Sequence, residues 1–214
     1  MLKRIAPFMG MVGVTVFTLT FTLYGLFRPD YSPVRHYVSE LAIGSGGWIQ
    51  IVNFLLLGAF LMVFALGVRK TFLDGIASRA GPIMLMIIAG CYFISGPLVT
   101  DPLSMFDNQQ TFIGMLHGIF GALVFALSPV CCFLYWRRFR ADPRWRYLHP
   151  WTLAAVILMV GTVVLMKVAQ PLTSALNPWA GLIQRGSLLT FYAWVFAFSV
   201  GLRKSQNSIK GESP

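Results

Sequence analysis

Residues 48–68 read WIQIVNFLLLGAFLMVFALGV, an apolar run that contains no charged residue. The run has the roughly 20 residues that an α-helix needs to cross the hydrocarbon core of a bilayer. It is continuous and does not alternate between apolar and polar residues, which excludes a strand of a membrane β-barrel. Five further runs share this character, at about 7–27, 80–100, 112–136, 151–169 and 179–202. The sequence therefore predicts an all-α integral membrane protein, a bundle of six transmembrane helices.

The composition supports the same fold class. Hydrophobic residues make up 57% of the chain and charged residues only 11%, and the mean hydropathy is +0.70. A soluble domain carries roughly 25% charged residues. The formal charge of +10 is confined to short segments between apolar runs, which is typical of a membrane protein and gives no basic face for nucleic acid. The three cysteines all lie inside apolar runs, so a disulfide is not expected.

Charge alternates between the segments that join the six runs, and this predicts the orientation. The segments between runs one and two, three and four, and five and six contain only Arg28 and Arg35 as basic residues. The termini and the other two segments carry Lys3, Arg4, Arg69, Lys70, Arg79, Arg137, Arg138, Arg140, Arg144, Arg146, Arg203, Lys204 and Lys210. The positive-inside rule then places both termini in the cytoplasm.

The two ends of the chain were interpreted from length and pattern. Lys3 and Arg4 precede an apolar run as in a signal peptide, but run 7–27 is long enough to span and no small-residue cleavage site follows it. We therefore expect an uncleaved first helix. The expected domain organisation is one six-helix transmembrane domain over 1–204 and a disordered cytoplasmic tail over 205–214.

Three similar stretches indicate a repeated helical hairpin. Gly47-Trp48-Ile49-Gln50, Gly114-Met115-Leu116-His117 and Gly181-Leu182-Ile183-Gln184 open runs two, four and six at equal spacing. Three hairpins of one orientation would bring Gln50, His117 and Gln184 to one depth near a common axis. The alternative is a chance alignment of hairpins of similar length, because each match covers only four residues.

Polar residues inside the runs are concentrated in the predicted outer half. Such residues are costly in lipid and usually face protein or a watery cavity. The inner half has little beyond Ser128 and Ser199. The outer half contains Gln50, Asn53, Thr100, Asp101, His117, Lys167, Gln170, Gln184, Arg185 and Ser187. This distribution predicts a polar cavity that opens outward above an apolar floor.

His117 and Arg185 are the main candidates for a site in that cavity. Gly114, Gly118 and Gly121 share the helix face of His117, and small residues mark close helix approach, so His117 is expected to point into the bundle. It is either a packed histidine or a functional one. Arg185 needs an anionic partner, which is Asp101, Glu40 or the phosphate or carboxylate of a ligand. Lys167 is expected to extend its ammonium group to the membrane–water interface, which is known as snorkelling.

The first outer segment is long for a hairpin connection. Residues 33–43 were predicted to form an interfacial helix, either a plain amphipathic surface helix or a lid over the cavity. As a lid, it would hold Ser39 and Glu40 nearest the bundle. Asp101 precedes Pro102 and so ends run three. Asp101 is either an ordinary boundary residue or a group that faces His117.

Six short motifs carry a family resemblance: His36-Tyr37-Val38-Ser39-Glu40-Leu41, Gly47-Trp48-Ile49-Gln50, Asn53-Phe54, Thr100-Asp101-Pro102, Leu116-His117-Gly118 and Gly181-Leu182-Ile183-Gln184-Arg185. Together they resemble the bacterial family of six-helix membrane proteins catalogued as domain of unknown function 998. The similarity extends from about the first run to Arg203, and it implies a multi-pass bacterial membrane protein without implying an activity. We expect the protein in the bacterial cytoplasmic (inner) membrane.

A more distant resemblance is to the zinc-dependent alkaline ceramidases. Ser39, Asp101 and His117 resemble part of their set of one Ser, one Asp and three His. The remaining ligands are missing, because no His-x-x-x-His pair occurs in any later run and His149 is predicted to be cytoplasmic. No metal and no cofactor is therefore predicted.

Three functions remain open at the level of the sequence. The favoured one is binding of an anionic lipid head group or small acid by Arg185, Gln184, Gln50 and Asn53. The second is a membrane-embedded lipid hydrolase or transferase that uses His117 with Asp101 or Glu40, and Ser39 as nucleophile. The third is a transporter. The expected partners are membrane lipids and not nucleic acid, and a further membrane protein partner stays open.

Overall fold

The structure is a computed structural model that contains six long helices. It describes residues 1–105 and 110–211, with side chains described through Gln206. The part of the chain described contains no strand. The predicted all-α bundle of six helices is confirmed. The helices are α1 (Leu2–Phe27), α2 (Trp48–Thr71), α3 (Ala80–Ser95), α4 (Phe112–Ala141), α5 (His149–Ala169) and α6 (Ala180–Gly211). Five helical segments are long and apolar enough to cross a membrane, and α3 is a shorter apolar helix.

The six helices close into a ring in chain order. Each packs against its neighbours in the sequence, and α6 packs against α1. Because consecutive helices alternate in direction, segments 28–47, 96–105 and 170–179 meet at one end of the ring, called the polar end here. Segments 72–79 and 142–148 meet at the other, called the basic end. The threefold hairpin repeat stays a prediction, although Gln50, His117 and Gln184 all lie buried near the starts of alternate helices.

Aromatic side chains fill the ring toward the basic end. The ring centroid of Phe198 lies 4.8 Å from that of Tyr135, 5.2 Å from that of Phe139 and 5.6 Å from that of Phe64. All four side chains are fully buried, and such offset and edge contacts between rings add to the free energy gained by burial. This aromatic floor (Phe64, Tyr135, Phe139 and Phe198) occupies the half in which the sequence has few polar residues.

Two helix boundaries differ from the predicted ones. α3 ends at Ser95 instead of continuing to residue 100, since Pro97 has no backbone N–H and its ring collides with the preceding turn of a helix. α6 continues through Gly211 and so extends into the segment predicted to be a disordered tail. The last part of that tail, residues 212–214, lies outside the described residues.

Part of the first loop, residues 37–42, is buried in the bundle and does not lie on its surface. In place of the predicted interfacial helix over 33–43, a short 3-10 helix, Val38–Ala42, forms. All five of its residues are buried. A surface helix would leave one polar face in water or among head groups, and this segment has no such face. The inserted helix (Val38–Ala42) instead closes part of the polar end from above.

Candidate functional site

A cavity of about 530 Å³ lies at the polar end, lined by parts of all six helices and of the loops before α2 and α4. This volume falls within the range of roughly 300–1,000 Å³ that is usual for small-molecule sites. The deeper wall is apolar and includes Phe17, Phe54, Val124 and Leu188. The polar lining groups, apart from three tyrosines, are Ser39, Ser95, Thr100, Gln110, His117, Lys167, Gln170 and Gln184.

The imidazole of His117 is oriented by the end of α3. Its Nδ1 lies 2.6 Å from the carbonyl oxygen of Leu98 and 3.2 Å from that of Ser95. A carbonyl oxygen only accepts, so Nδ1 carries the proton and donates. These oxygens are among the carbonyls that a helix end leaves without partners. In the neutral imidazole Nε2 is then unprotonated, and the side chain borders the cavity.

The three glycines on the His117 face have different roles. A Cβ on Gly114 would lie 2.0 Å from Oδ2 of Asp101, so Gly114 permits the close approach that was predicted. For Gly118 and Gly121 that prediction was wrong. A Cβ on either would meet no heavy atom within 4 Å, and both residues line the cavity. The absence of side chains at these two positions leaves the cavity open.

Asp101 holds the start of α4 and does not contact His117. Its Oδ2 accepts from the backbone N–H of Thr111 at 2.7 Å, and its Oδ1 accepts from the Thr111 hydroxyl at 3.0 Å. The Thr111 hydroxyl in turn accepts from the N–H of Gly114. A carboxylate is stabilised at a helix N-terminus, where N–H groups lack partners. Asp101 does not line the cavity.

Arg185 clamps the first loop. Its Nη1 donates to the carbonyl oxygens of Pro33 at 2.6 Å and His36 at 2.9 Å, and to that of Gly181 one turn earlier. Its Nη2 donates to the hydroxyl of Tyr31. Neither carboxylate proposed as its partner pairs with it, since the ion pair in the described part of the chain joins Arg144 to Asp142. Arg185 does not border the cavity.

Glu40 is also occupied by backbone groups. Its Oε1 accepts from the N–H of Tyr37 at 2.7 Å and its Oε2 from that of Leu103 at 3.4 Å. Burial raises the pKa of the Glu40 carboxyl above its ordinary value, while these two hydrogen bonds act in the opposite direction. Burial also raises the pKa of the Tyr37 phenol, to about 12. Glu40 fixes the inserted helix and does not orient His117.

The four remaining predicted site residues divide between cavity and core. Ser39 and Gln184 line the cavity. Oε1 of Gln184 accepts from the N–H of Val38 at 2.7 Å, which leaves its Nε2 as a donor for a ligand. Asn53 donates to the carbonyl oxygen of Phe17 and to Gln50. Asn53 and Gln50 are buried away from the cavity.

Lys167 is the lining residue that the sequence reasoning assigned elsewhere. It was interpreted as snorkelling, yet its exposed side chain stands at the cavity with that of Gln170. Gln170 directly follows α5 with helical backbone angles, three positions after Lys167, so the two side chains lie on one face. This polar pair late in an apolar helix was the available signal. Gln110, in the loop before α4, carried no such pattern.

Comparison with known proteins gives a family without a function. A family model described as "Protein of unknown function (DUF998)" matches residues 11–201. No curated protein and no solved structure is significantly similar to the chain.

Proposed function

Because the chain belongs to the DUF998 family, whose description states no activity, we propose a function from the cavity itself. The protein binds an anionic amphiphile, with the charged head group at the polar rim of the cavity and the chain along its apolar wall. The observation that carries this proposal is the combination in one cavity of a cationic, hydrogen-bonding rim and a hydrophobic interior.

The charge of the lining favours an anion. Lys167 is the one permanently charged side chain among the described residues that line the cavity, and no described lining residue is acidic. A Lys ammonium binds phosphate or carboxylate as a point charge. Arg185 was the predicted cation, but its Nη1 and Nη2 bind the first loop and its side chain does not line the cavity. Lys167 on α5 therefore replaces Arg185 on α6 as the expected cation of the site.

The neutral polar groups at the rim fit an oxygen-rich head group. Nε2 of Gln184 and the hydroxyl of Ser39 make no hydrogen bond within the described residues and can donate. The unprotonated Nε2 of His117 can accept from a hydroxyl. A ligand with acidic oxygens and at least one hydroxyl group would satisfy this set.

The position of the cavity favours a ligand that arrives from the bilayer. Met115 and Ile119 line the cavity, yet each is more than two-fifths exposed on the surface of α4. The cavity thus continues to an apolar outer face of the bundle, which lipid chains cover in a membrane protein. An amphiphile could enter sideways without losing the hydrophobic surroundings of its chain. A small free acid would gain nothing from the apolar wall.

The test uses the full chain extracted with its native lipids by a polymer, followed by mass spectrometry of the co-purified lipids. We expect one anionic lipid to be enriched over the bulk membrane. Gly121→Leu should abolish the enrichment by filling the cavity, and Lys167→Gln should reduce it about tenfold, the loss expected for one charge-assisted contact.

Two control variants match these changes outside the cavity. Gly161→Leu adds the same side chain where a Cβ meets no heavy atom within 4 Å, and Lys70→Gln removes a charge at the basic end. Both should retain the enriched lipid. An unselective lipid profile, identical in all five proteins, would overturn the proposal. Enrichment of a water-soluble acid in place of a lipid would show that the ligand is an anion but not an amphiphile.

Lipid hydrolysis is a second candidate, favoured by the presence of Ser39 and His117 in the same cavity. With Nδ1 donating to carbonyls, Nε2 is in the state that a general base needs. It would accept a proton as water attacks an ester, which gives an alcohol and a carboxylic acid directly. If Ser39 attacks instead, the alcohol leaves with that proton and the acyl group stays on Ser39 until water releases it as the carboxylic acid. Lack of turnover of any bacterial lipid extract by the purified protein would remove this candidate. Transport has less support, because the aromatic floor closes the ring beneath the cavity.

A further inference from the structure

Two tyrosine hydroxyls meet in the wall of the cavity. Tyr92 on α3 and Tyr192 on α6 both line the cavity, and their hydroxyl oxygens lie 3.0 Å apart in a hydrogen bond. Both side chains are more than nine-tenths buried. The rings of Phe17 and Phe54 pack against the pair, so the two hydroxyls form a polar spot among apolar side chains.

The pair has one more donor than it can use. Two phenol groups carry two hydroxyl protons, and the hydrogen bond between them uses one. Within residues 1–105 and 110–206, neither hydroxyl has another hydrogen-bond partner. A buried donor without an acceptor costs about 1–3 kcal/mol. The remaining proton is therefore available to an acceptor atom that enters the cavity.

The pair lies below the rim at a distance that suits the linkage region of a lipid. The Phe54 ring stands between the two levels, with its centroid 5.9 Å from that of His117 and 6.3 Å from that of Tyr92. Along α6, Tyr192 follows Gln184 by two turns, or about 12 Å at 1.5 Å per residue. A head group held at the rim would bring the carbonyl that joins it to the chain near this depth.

We propose that the Tyr92–Tyr192 pair is a second recognition point, which binds the ester or amide carbonyl of the amphiphile. This inference rests on the proposed function and deepens it by naming the linkage of the ligand. It selects carbonyl-linked lipids over ether-linked lipids with the same head group. A carbonyl oxygen accepts the free hydroxyl proton, whereas an ether oxygen is a weaker acceptor placed differently.

The experiment compares two probes on the full-length protein by native mass spectrometry. The probes are ester-linked phosphatidylglycerol and its ether-linked analogue with equal chains, added in equal amounts. We expect the wild type to prefer the ester form about fivefold, the ratio that one net hydrogen bond provides. The double variant Tyr92→Phe/Tyr192→Phe should bind both equally. The single variant Tyr192→Phe should keep the preference, because the Tyr92 proton remains.

Tyr135→Phe is the matched control. The Tyr135 hydroxyl is also buried without a hydrogen-bond partner, but it belongs to the aromatic floor and not to the cavity lining. Its loss should leave the preference unchanged. Equal binding of both probes to the wild type, or a preference that survives the double variant, would overturn this inference alone. Absence of saturable binding of either probe would overturn the proposed function as well.

Discussion

The two sides of the polar end use their polar groups in opposite ways. On the clamped side, defined by Arg28, Glu40 and Arg185, each charged group binds backbone groups of the loops. On the open side, defined by Gly118, Gly121 and Lys167, the residues border the cavity. The difference follows from the long first loop, whose backbone carbonyls need donors. A cation near such carbonyls becomes structural, and a cation beside glycines stays available to a ligand.

The comparison is tested most strongly by Arg185→Ala. Among the described residues, this change removes the only side-chain donor to the part-buried carbonyl oxygen of Pro33 and leaves that of His36 with the Tyr31 hydroxyl at 3.5 Å. We therefore expect the free energy of unfolding to fall by about 3 kcal/mol. Thermal unfolding in detergent, followed by tryptophan fluorescence, measures it. The control Lys167→Ala removes the exposed cation of the open side and should change stability by less than about 0.5 kcal/mol.

The reverse outcome would show that the clamped side and the open side do not differ in this way. An Arg185→Ala protein that unfolds at the wild-type temperature but loses its enriched lipid would make Arg185 a ligand-binding residue. The clamped side would then belong to the site.

The fold could be read from the sequence because its signals are local. In lipid, each run such as 48–68 has to satisfy its backbone N–H and C=O groups within its own helix, independently of the neighbouring helices. The partners of Arg185 and Asp101 could not be read in the same way. Arg185 binds Pro33 and His36, which are 152 and 149 residues away in sequence, through their backbone carbonyls, which every residue has.

Gly118 and Gly121 illustrate the same limit at finer scale. A glycine at a helix contact and a glycine beside a cavity are identical in sequence and in helical periodicity. Only the packing of the segment after α3 against the start of α4 separates the two: a Cβ on Gly114 would collide with Asp101, whereas one on Gly118 would meet no heavy atom within 4 Å. For Lys167 the sequence did place the charge at the correct depth. It did not show that α4 and α5 leave a cavity there.

Alanine substitutions at Gly114 and Gly118 of α4 test where the packed part of the polar end gives way to the cavity. Gly114→Ala places a Cβ 2.0 Å from the Asp101 carboxylate and should displace it from Thr111, at a cost of about 1–2 kcal/mol. Gly118→Ala meets open space and should stabilise the helix by up to about 1 kcal/mol. Chemical unfolding of the two variants should therefore give changes of opposite sign. Equal changes would mean that both glycines face packed neighbours.

The smallest effect is a pH dependence that arises from Glu40. Burial raises the pKa of this carboxyl in the folded protein above its ordinary value of 4.5, although the charges of His36 and Arg185 oppose the shift. The unfolded chain therefore releases this proton at lower pH than the folded chain does. The contribution of Glu40 to the free energy of unfolding therefore falls as pH rises from about 4.5 through the folded pKa. Above the folded pKa it does not change further.

Glu40→Gln isolates this contribution, because Gln does not titrate while its Oε1 can still accept from Tyr37. The free energy of unfolding of wild type relative to this variant should fall between pH 4.5 and 8. Asp142→Asn is the control of opposite sign. Its hydrogen bond to Arg144 lowers the pKa of Asp142 below 3.8, so the stabilising effect of that carboxylate is constant across this window and is lost only at lower pH. A flat wild-type to Glu40→Gln difference would show that the hydrogen bonds to Tyr37 and Leu103 balance burial, and a difference that rises with pH would show that they outweigh it. The clamped side would then hold Glu40 as a stabilised anion.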